Sequence, residues 1–279
     1  QAEGLDVTIK PGGPDIAPAQ VLAGGGADVM VDWMPSALAA REKGLPLVNI
    51  AQPFKSSGMM LTCRKDMGVN TTADLKGKTL GVWFYGNEYP FLSWMSRLGL
   101  KTDGSANGVT VLRQGWGVEP LTEGQAACVS TMSYNEYWVV RDAGYSPEQL
   151  TVFKYQSEGA ATLEDGLYVH EKNLSDAAFK DKMVRFVRAS MKGWKYAEAN
   201  PKEAAMIILD NDDAGVQTEK HQVRMMGEIA KLTAGSNGSL DPADYERTVK
   251  VLMSGDSDPV ITKKPTGAWT NEITNAALN

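Results

Sequence analysis

The fold is decided by GGGADVMVDWMPSALAAREKGLPLVNIAQPFKSSGMMLTCRK, which occupies residues 24–65. The apolar run at residues 27–31 predicts a short buried strand. A helix is predicted to follow at once, with Pro35 in its first turn and Ser36 as a candidate N-cap. A second apolar run, residues 47–51, predicts the next strand. This strand–helix–strand order favours a parallel sheet with a right-handed crossover.

Three residues directly after the first predicted strand form the first candidate site: Asp32, Trp33 and Met34. In open α/β sheets, ligands bind beyond the carboxyl ends of the strands. A carboxylate beside an indole offers a proton acceptor and a stacking face at one place. We therefore predict that these three residues bind a ligand. The alternative is that Trp33 packs under the following helix and Asp32 caps that helix.

Length and composition place the chain in a broad class. The chain of 279 residues is long enough for two lobes, and its content of 43% hydrophobic and 22% charged residues is typical of soluble globular proteins. A formal net charge of -6 argues against a nucleic-acid partner, because phosphate binding requires a basic surface. No window approaches the roughly 20 apolar residues of a membrane helix. Because the chain begins with Gln1, we interpret it as processed or trimmed.

The rest of the chain predicts an inserted α/β unit followed by helices. Further strands are predicted at residues 58–64, 79–84, 109–113, 128–132, 152–155 and 166–170, with helices between several of them. Amphipathic helical patterns then continue to residue 253. We predict a two-lobed α/β protein in which residues 1–57 and 166–279 form one lobe and residues 58–165 form the other. Two crossing strands would join the lobes and allow hinge closure.

The N-terminal segment contributes one candidate loop. The alternating sequence LDVTIK, residues 5–10, predicts a strand. Asp15 is predicted to cap a helix that runs through Leu22. Backbone amides of the loop at residues 12–15 would then be available to a ligand, and we include Asp15 among the candidate ligand-binding residues. The alternative is an ordinary turn and cap.

A second candidate loop is WFYGNEY, residues 83–89, which follows a predicted strand. Successive side chains of a strand point to opposite faces, so the consecutive aromatic residues cannot all be core. Glycine permits close approach of the backbone to a ligand. The candidate ligand-binding residues of this loop are Trp83, Tyr85, Gly86 and Asn87.

Two further groups of candidates come from the next strand end and from the crossings. The sequence SYNEYW, residues 133–138, places Tyr134, Asn135 and Glu136 after a predicted strand. Ser57 and Glu164 lie near the two predicted crossings, where Glu164 would reach the floor of the cleft. An equally acceptable interpretation of Glu164 is an acid in a solvated loop.

The two cysteines, Cys63 and Cys128, both fall in predicted strands. A disulfide would be possible in an oxidising compartment, but burial statistics favour two free thiols that behave as small apolar residues. The chain has no CxxC pair, and His170 and His221 are far apart in sequence. We therefore predict no metal site and no cofactor.

Three segments resemble a known family. GADVMVDWMPSALAAREKGLPLVNIA, DLKGKTLGVWFYGNEYPFLSWMSRLG and ACVSTMSYNEYW are similar to periplasmic substrate-binding proteins of ABC transporters, in particular to the NMT1/THI5-like group that binds thiamine pyrimidine precursors. The resemblance covers nearly the whole chain. It implies a type II-like periplasmic-binding-protein fold, an ABC permease as partner, a monomer and a periplasmic or membrane-anchored location. Members of the family usually begin with one more strand and helix, so we expect one such unit to be missing before Gln1.

The candidate side chains indicate the class of ligand. Aromatic faces together with Asp32, Glu136 and Glu164 suit a flat heterocycle that carries amino groups. An anion would instead need arginines, and only Arg64 and Arg113 lie near the candidate loops. The resemblance leaves open other small solutes, namely riboflavin, sulfonates or nitrate.

An enzyme is the main alternative from another class, because pyrimidine synthases related to the family share the fold. Those enzymes depend on a histidine and a cysteine-rich segment. This sequence has no cluster of cysteines, and neither His170 nor His221 lies at a predicted strand end that faces the cleft. Sequence patterns for a nucleophile elbow, a zinc protease or a phosphate loop are also missing from it. We therefore predict a binding protein with no catalytic residue. A ligand-binding domain of a transcription factor would need a DNA-binding segment that the sequence does not contain.

Overall fold

The computed structural model describes residues 2–13, 15–254 and 259–278. The strands are β1 (Met30–Asp32), β2 (Leu47–Ala51), β3 (Met59–Arg64), β4 (Thr79–Val82), β5 (Thr110–Arg113), β6 (Cys128–Met132), β7 (Leu150–Lys154) and β8 (Gly166–His170). The helices are α1 (Pro18–Ala23), α2 (Met34–Glu42), α3 (Tyr89–Arg97), α4 (Glu119–Thr122), α5 (Glu136–Asp142), α6 (Ala177–Ala199), α7 (Pro201–Asp210), α8 (Glu219–Thr233), α9 (Pro242–Leu252) and α10 (Glu272–Leu278). None of these helices is both long and apolar enough to span a membrane.

The first sheet has three strands in the order β1-β8-β2. Both β1 and β2 run antiparallel to β8, which lies between them. The predicted parallel sheet is therefore wrong, because β1 and β2 both pair with an antiparallel strand, although α2 connects them as expected. A strand from more than 100 residues later separates them, since Met30 pairs with Tyr168 and Val48 with Val169. We call this sheet, with α1, α2 and α6–α10, the three-stranded half.

The N-terminal segment differs from its prediction. Residues 5–10 form no strand; Val7 and Ile9 are exposed to 51% and 84%. The helix begins at Pro18 instead of at Asp15, and its N-cap residue Ala17 provides no side-chain hydrogen bond. Proline at the first helical position has the φ angle that a helix needs and no amide hydrogen to satisfy. The predicted capping role of Asp15 is therefore wrong.

The second sheet has five strands in the order β5-β4-β6-β3-β7. β4 runs parallel to β5 and to β6, whereas β3 runs antiparallel to β6 and to β7. The carboxyl ends of β4, β5 and β6 consequently lie at one edge of the sheet, so the loops that follow them are neighbours. We call this sheet, with α3–α5, the five-stranded half.

A disulfide joins two central strands of this sheet. Cys63 of β3 and Cys128 of β6 are direct partners in the antiparallel register, and their sulfur atoms are bonded. Directly opposed residues have adjacent Cβ atoms, which brings the two thiols together. The interpretation of these residues as free thiols is therefore wrong.

The two halves are joined by residues 52–58 and 155–165 and touch on two sides. On one side Gly86 packs against Ser36, so closely that an added Cβ would lie 2.5 Å from the Cβ of Ser36. On the other side Arg224 of α8 forms an ion pair with Asp142 at 3.0 Å and lies over the ring of Trp138. The two halves are thus in contact on both sides of the cleft.

Candidate functional site

Asp32 is the last residue of β1 and lies just before the first turn of α2. Its Oδ1 accepts a hydrogen bond from the backbone amide of Trp33 at 2.8 Å, and its Oδ2 accepts one from the hydroxyl of Ser36 at 2.8 Å. The side chain is buried. Burial raises the pKa of Asp32 to about 7, although both hydrogen bonds act in the opposite direction.

The side chains of Trp33 and Met34, which follow β1, lie in the cores of different halves. Trp33 is buried in the apolar core of the five-stranded half, together with Met59 and Met132. Met34 is fully buried in the core of its own half, and its sulfur lies 3.7 Å from the hydroxyl of Tyr168. Trp33 therefore crosses between the halves, whereas Met34 lies in the core.

Glu164 connects the two crossings. Its Oε2 accepts a hydrogen bond from the amide of Gly58 at 2.8 Å, and its Oε1 accepts one from the hydroxyl of Ser57 and one from the amide of Met59. Only 2% of the residue is exposed, and burial raises the pKa of Glu164 to about 8. The solvated-loop interpretation of Glu164 is wrong, because the carboxyl group holds residues 57–59 of the first crossing against the second.

Asp165 is the important residue that sequence reasoning missed. Its Oδ2 is buried and has no hydrogen-bond partner, and its backbone adopts a left-handed conformation with φ of 32°. Such strain in a residue other than glycine is concentrated at functional sites. Burial raises the pKa of Asp165 to about 6, and the side chain of Trp33 opposes this rise as a hydrogen-bond donor. Asp32 pairs with Gly166 in the β1–β8 register, which places the two aspartates close together.

The loop after β6 brings an aromatic ring and a fourth acid to the same place. Glu136 accepts hydrogen bonds from the amide of Met132 at 2.8 Å and from the side chain of Asn135 at 2.7 Å, and burial raises its pKa. The pKa of Tyr134 is raised well above its ordinary value by burial and then by the nearby carboxyl groups of Asp165, Glu164 and Glu136.

These residues define what we call the acid–aromatic cluster, which consists of Asp32, Trp33, Tyr134, Glu136, Glu164 and Asp165. Sequence reasoning selected all of them except Asp165. That residue could have been found from its place directly after Glu164 and before the returning strand β8. The side-chain oxygen of Asn135 lies 2.7 Å from Nε2 of His221. Asn135, at the border of this cluster, therefore contacts the opposite half.

The loop after β4 lies elsewhere, at the outer rim of the cleft. Tyr85 and Gly86 both have positive φ angles, of 63° and 105°. The hydroxyl of Tyr85 accepts a hydrogen bond from Arg113 at 3.1 Å, and Arg113 also pairs with Asp15 across the cleft at 2.6 Å. The candidates Asp15 and Tyr85 are thus brought together by Arg113, whereas Gly86 packs against Ser36.

The other two candidates of this loop have hydrogen bonds within the five-stranded half. The indole of Trp83 donates to the carbonyl of Gly115 at 3.0 Å. The side chain of Asn87 donates to the carbonyl of Phe84 at 3.0 Å. Both contacts stabilise loops at the rim.

An open groove of about 550 Å³ runs between the halves beside α2. Its lining includes Ser36, Lys43, Tyr85, Gly86 and Arg113. Ser36 connects this groove with the acid–aromatic cluster, because its side chain lines the groove and its hydroxyl donates to Asp32. Within the described parts of the chain, no three acidic, histidine or cysteine side chains are arranged to hold a metal ion.

The chain is similar to known proteins in sequence and in fold. The chain is 24% identical over 271 residues to the formylaminopyrimidine-binding protein of Halalkalibacterium halodurans, covering 93% of this chain and 79% of the relative. Its fold matches a periplasmic sulfonate-binding protein of Methylobacillus flagellatus with a TM-score of 0.62 at 13% identity, over 93% of this chain and 77% of that one. It also matches the desulfurization enzyme DSZB with a TM-score of 0.57 at 13% identity, over 90% and 84% of the two chains. The fold is therefore that of periplasmic binding proteins, and the fold by itself occurs in both binding proteins and an enzyme.

The family assignment rests on sequence. The family described as NMT1/THI5 like matches residues 1–204, which is well over half of the chain. The segments around β1–α2, β4–α3 and β6–α5, which carry the resemblance in the sequence, all lie within that match. The chain belongs to the NMT1/THI5-like family.

Proposed function

We propose that this protein is the solute-binding component of an ABC importer and captures a small planar heterocycle that carries amino groups, of the thiamine pyrimidine precursor type. The observation that carries the proposal is the buried, unpartnered Oδ2 of Asp165 beside Trp33. A buried polar atom without a partner is costly, and a ligand N–H donor would satisfy it.

The chemistry of the acid–aromatic cluster suits an aminopyrimidine. An aminopyrimidine ring has an exocyclic amino group next to a ring nitrogen. A carboxyl group can therefore accept a hydrogen bond from the amino group and donate or share a proton with the ring nitrogen. The pKa values of Asp32 and Asp165, raised to about 7 and about 6, allow this exchange near neutral pH. Trp33 and Tyr134 supply aromatic surfaces against which the ring can pack. The binding of a formylaminopyrimidine by the relative named above supports the same ligand class.

Anionic solutes fit the cluster less well. Four carboxyl groups would meet a sulfonate or a nitrate, and no arginine or lysine belongs to the cluster as defined. Arg113 lies at the rim, where it already pairs with Asp15 and Tyr85. A negatively charged ligand would therefore lose hydration without gaining a cationic partner.

We further propose a protein without catalytic activity or cofactor, located outside the cytoplasm and acting as a monomer with an ABC permease. The Cys63–Cys128 disulfide supports an oxidising compartment, because disulfides persist there. Incubation with 4-aminopyrimidines, followed by mass spectrometry, is expected to return them unchanged. Catalytic turnover would contradict this part of the proposal.

The Trp33→Ala substitution is expected to weaken ligand binding by about 1–3 kcal/mol, because a central aromatic contact is lost. Calorimetric titration with 4-amino-5-hydroxymethyl-2-methylpyrimidine measures the effect. The matched control is Tyr196→Ala, which removes an exposed aromatic side chain on α6. An unchanged affinity of the Trp33 variant would exclude this residue from the site. Failure of the unsubstituted protein to bind any 4-aminopyrimidine would exclude the ligand class.

A further inference from the structure

The loop after β5 presents an exposed tryptophan. Trp116 is 73% exposed, while the other six of the seven tryptophans in the chain are buried or half-buried. Water contact with a large aromatic surface is unfavourable by about 1.5–3 kcal/mol relative to burial. Its sequence position between Gly115 and Gly117, outside every predicted strand and helix core, gave no reason to select it.

The base of this loop is firmly held. Gln114 is buried; its side chain donates to the carbonyl of Ser130 at 2.9 Å and accepts from the amide of Ser130 at 2.9 Å. The carbonyl of Gly115 accepts the hydrogen bond from the indole of Trp83. The exposure of Trp116 is therefore a property of an anchored loop and not of a loose segment.

The ring of Trp116 lies at the mouth of the cleft. β5 ends at the same sheet edge as β4 and β6, so its loop adjoins the two loops already described. The Cζ2 atom of Trp116 lies 3.5 Å from the position that a Cβ atom would occupy at Gly13, in the opposite half. Nearby, Arg113 of the same strand end pairs with Asp15. The tryptophan thus reaches across the cleft.

The surface that faces the ring consists of glycine backbone with the side chain of Ile16 beside it. Gly12 and Gly13 are consecutive, and a Cβ added at Gly12 would meet no atom within 4 Å. The indole therefore lies against the backbone at Gly13 and leaves its exposed faces free. Such a face can stack against a flat ring, whereas a branched solute makes less contact with it.

We propose that Trp116 contacts the solute directly and covers it at the mouth of the cleft, selecting planar ligands and slowing their release. This inference rests on the proposed function and adds a residue that determines specificity. Trp33 and Tyr134 would hold the inner part of the ligand, and the indole of Trp116 would lie over its outer part. Aromatic pairs of this kind favour offset or edge-to-face packing.

The Trp116→Ala variant is expected to bind 4-amino-5-hydroxymethyl-2-methylpyrimidine about tenfold more weakly, mostly through faster dissociation, because a stabilising aromatic contact is lost. Trp116→Phe is expected to stay within about threefold of the unsubstituted protein, since it keeps an aromatic face. Stopped-flow fluorescence and calorimetry measure these values. The matched control is Leu98→Ala, an exposed apolar residue after α3.

A second measurement uses only the variant that keeps an aromatic ring at position 116. The emission of Trp116, obtained as the difference between the unsubstituted protein and Trp116→Phe, is expected to lose most of its quenching by acrylamide when the pyrimidine binds. If the unsubstituted protein binds the pyrimidine while Trp116→Ala keeps its affinity and dissociation rate, or while quenching is unchanged, the role of Trp116 is refuted and the proposed function stands. If the unsubstituted protein binds no 4-aminopyrimidine, both proposals are refuted.

Discussion

Reduction of the Cys63–Cys128 disulfide is expected to lower the free energy of unfolding by about 4 kcal/mol, because the bond closes a loop of this length in the unfolded chain. The two cysteines are 65 residues apart in sequence, and the loop between them contains β4, β5, α3 and α4. The bond also lies in the apolar core of the five-stranded half, which is shielded from reductants in the folded protein. Reduction should therefore be carried out in the unfolded state before refolding.

The measurement is urea denaturation of oxidised and reduced protein, followed by circular dichroism. The matched control is the double variant Cys63→Ala with Cys128→Val, which keeps much of the apolar volume and cannot form the bond. Its denaturation midpoint should be the same with and without reductant. Equal midpoints for oxidised and reduced unsubstituted protein would show that the bond does not stabilise the fold.

A second large effect is expected from pH, through Asp32, Glu164 and Asp165. Burial raises their pKa values in the folded protein to about 7, about 8 and about 6. In the unfolded chain these groups titrate near pH 4. The folded protein thus holds protons that the unfolded chain has already released. Their contribution to stability is complete below about pH 4 and is lost as pH rises through about 6 to 8.

The free energy of unfolding of the ligand-free protein is therefore expected to fall by several kcal/mol between about pH 5 and about pH 9. Acids with lowered pKa values, such as Glu3 and Asp74, titrate below this window and do not mask the trend. Urea denaturation at a series of pH values measures the slope. A flat profile would mean that these carboxyl groups are not buried in solution.

Glu164→Gln tests the largest of these contributions. The amide oxygen of glutamine can still accept from the amide of Gly58, while the titrating proton is removed. We expect the loss of stability above about pH 7 to become much smaller in this variant. Glu158→Gln, a half-buried acid on the same connecting segment, should keep the full slope. An identical slope in both variants would assign the pH dependence to other groups.

The local pattern of the sequence was sufficient for most elements. Residues 47–51, 128–132 and 166–170 were predicted as strands with the bounds that the structure has. Each is a short run rich in apolar residues, a signal that does not depend on distant parts of the chain. The family match and the α/β fold agree with the expectation from the segments around Trp33, Tyr85 and Tyr134.

That local pattern could not predict which strands pair with each other. Nothing near β1 and β2 shows that β8 will insert between them, because hydrogen bonding between strands is set by residues far apart in sequence. Residues 5–10 alternate like a strand but have no partner strand in the structure, so their period-two pattern could not decide their state. The pairing of Cys63 with Cys128 likewise follows from register alone.

The sequence by itself determined the family, the α/β character and the strand ends at which candidate side chains gather. Only the tertiary structure decided which of those side chains meet. It brought Asp165 to Asp32 through the β1–β8 register, fixed Glu164 between the crossings and placed Trp116 opposite Gly13. The physical reason is that strand ends are local features, whereas burial, pKa and contact across a cleft depend on neighbours that folding supplies from elsewhere in the chain.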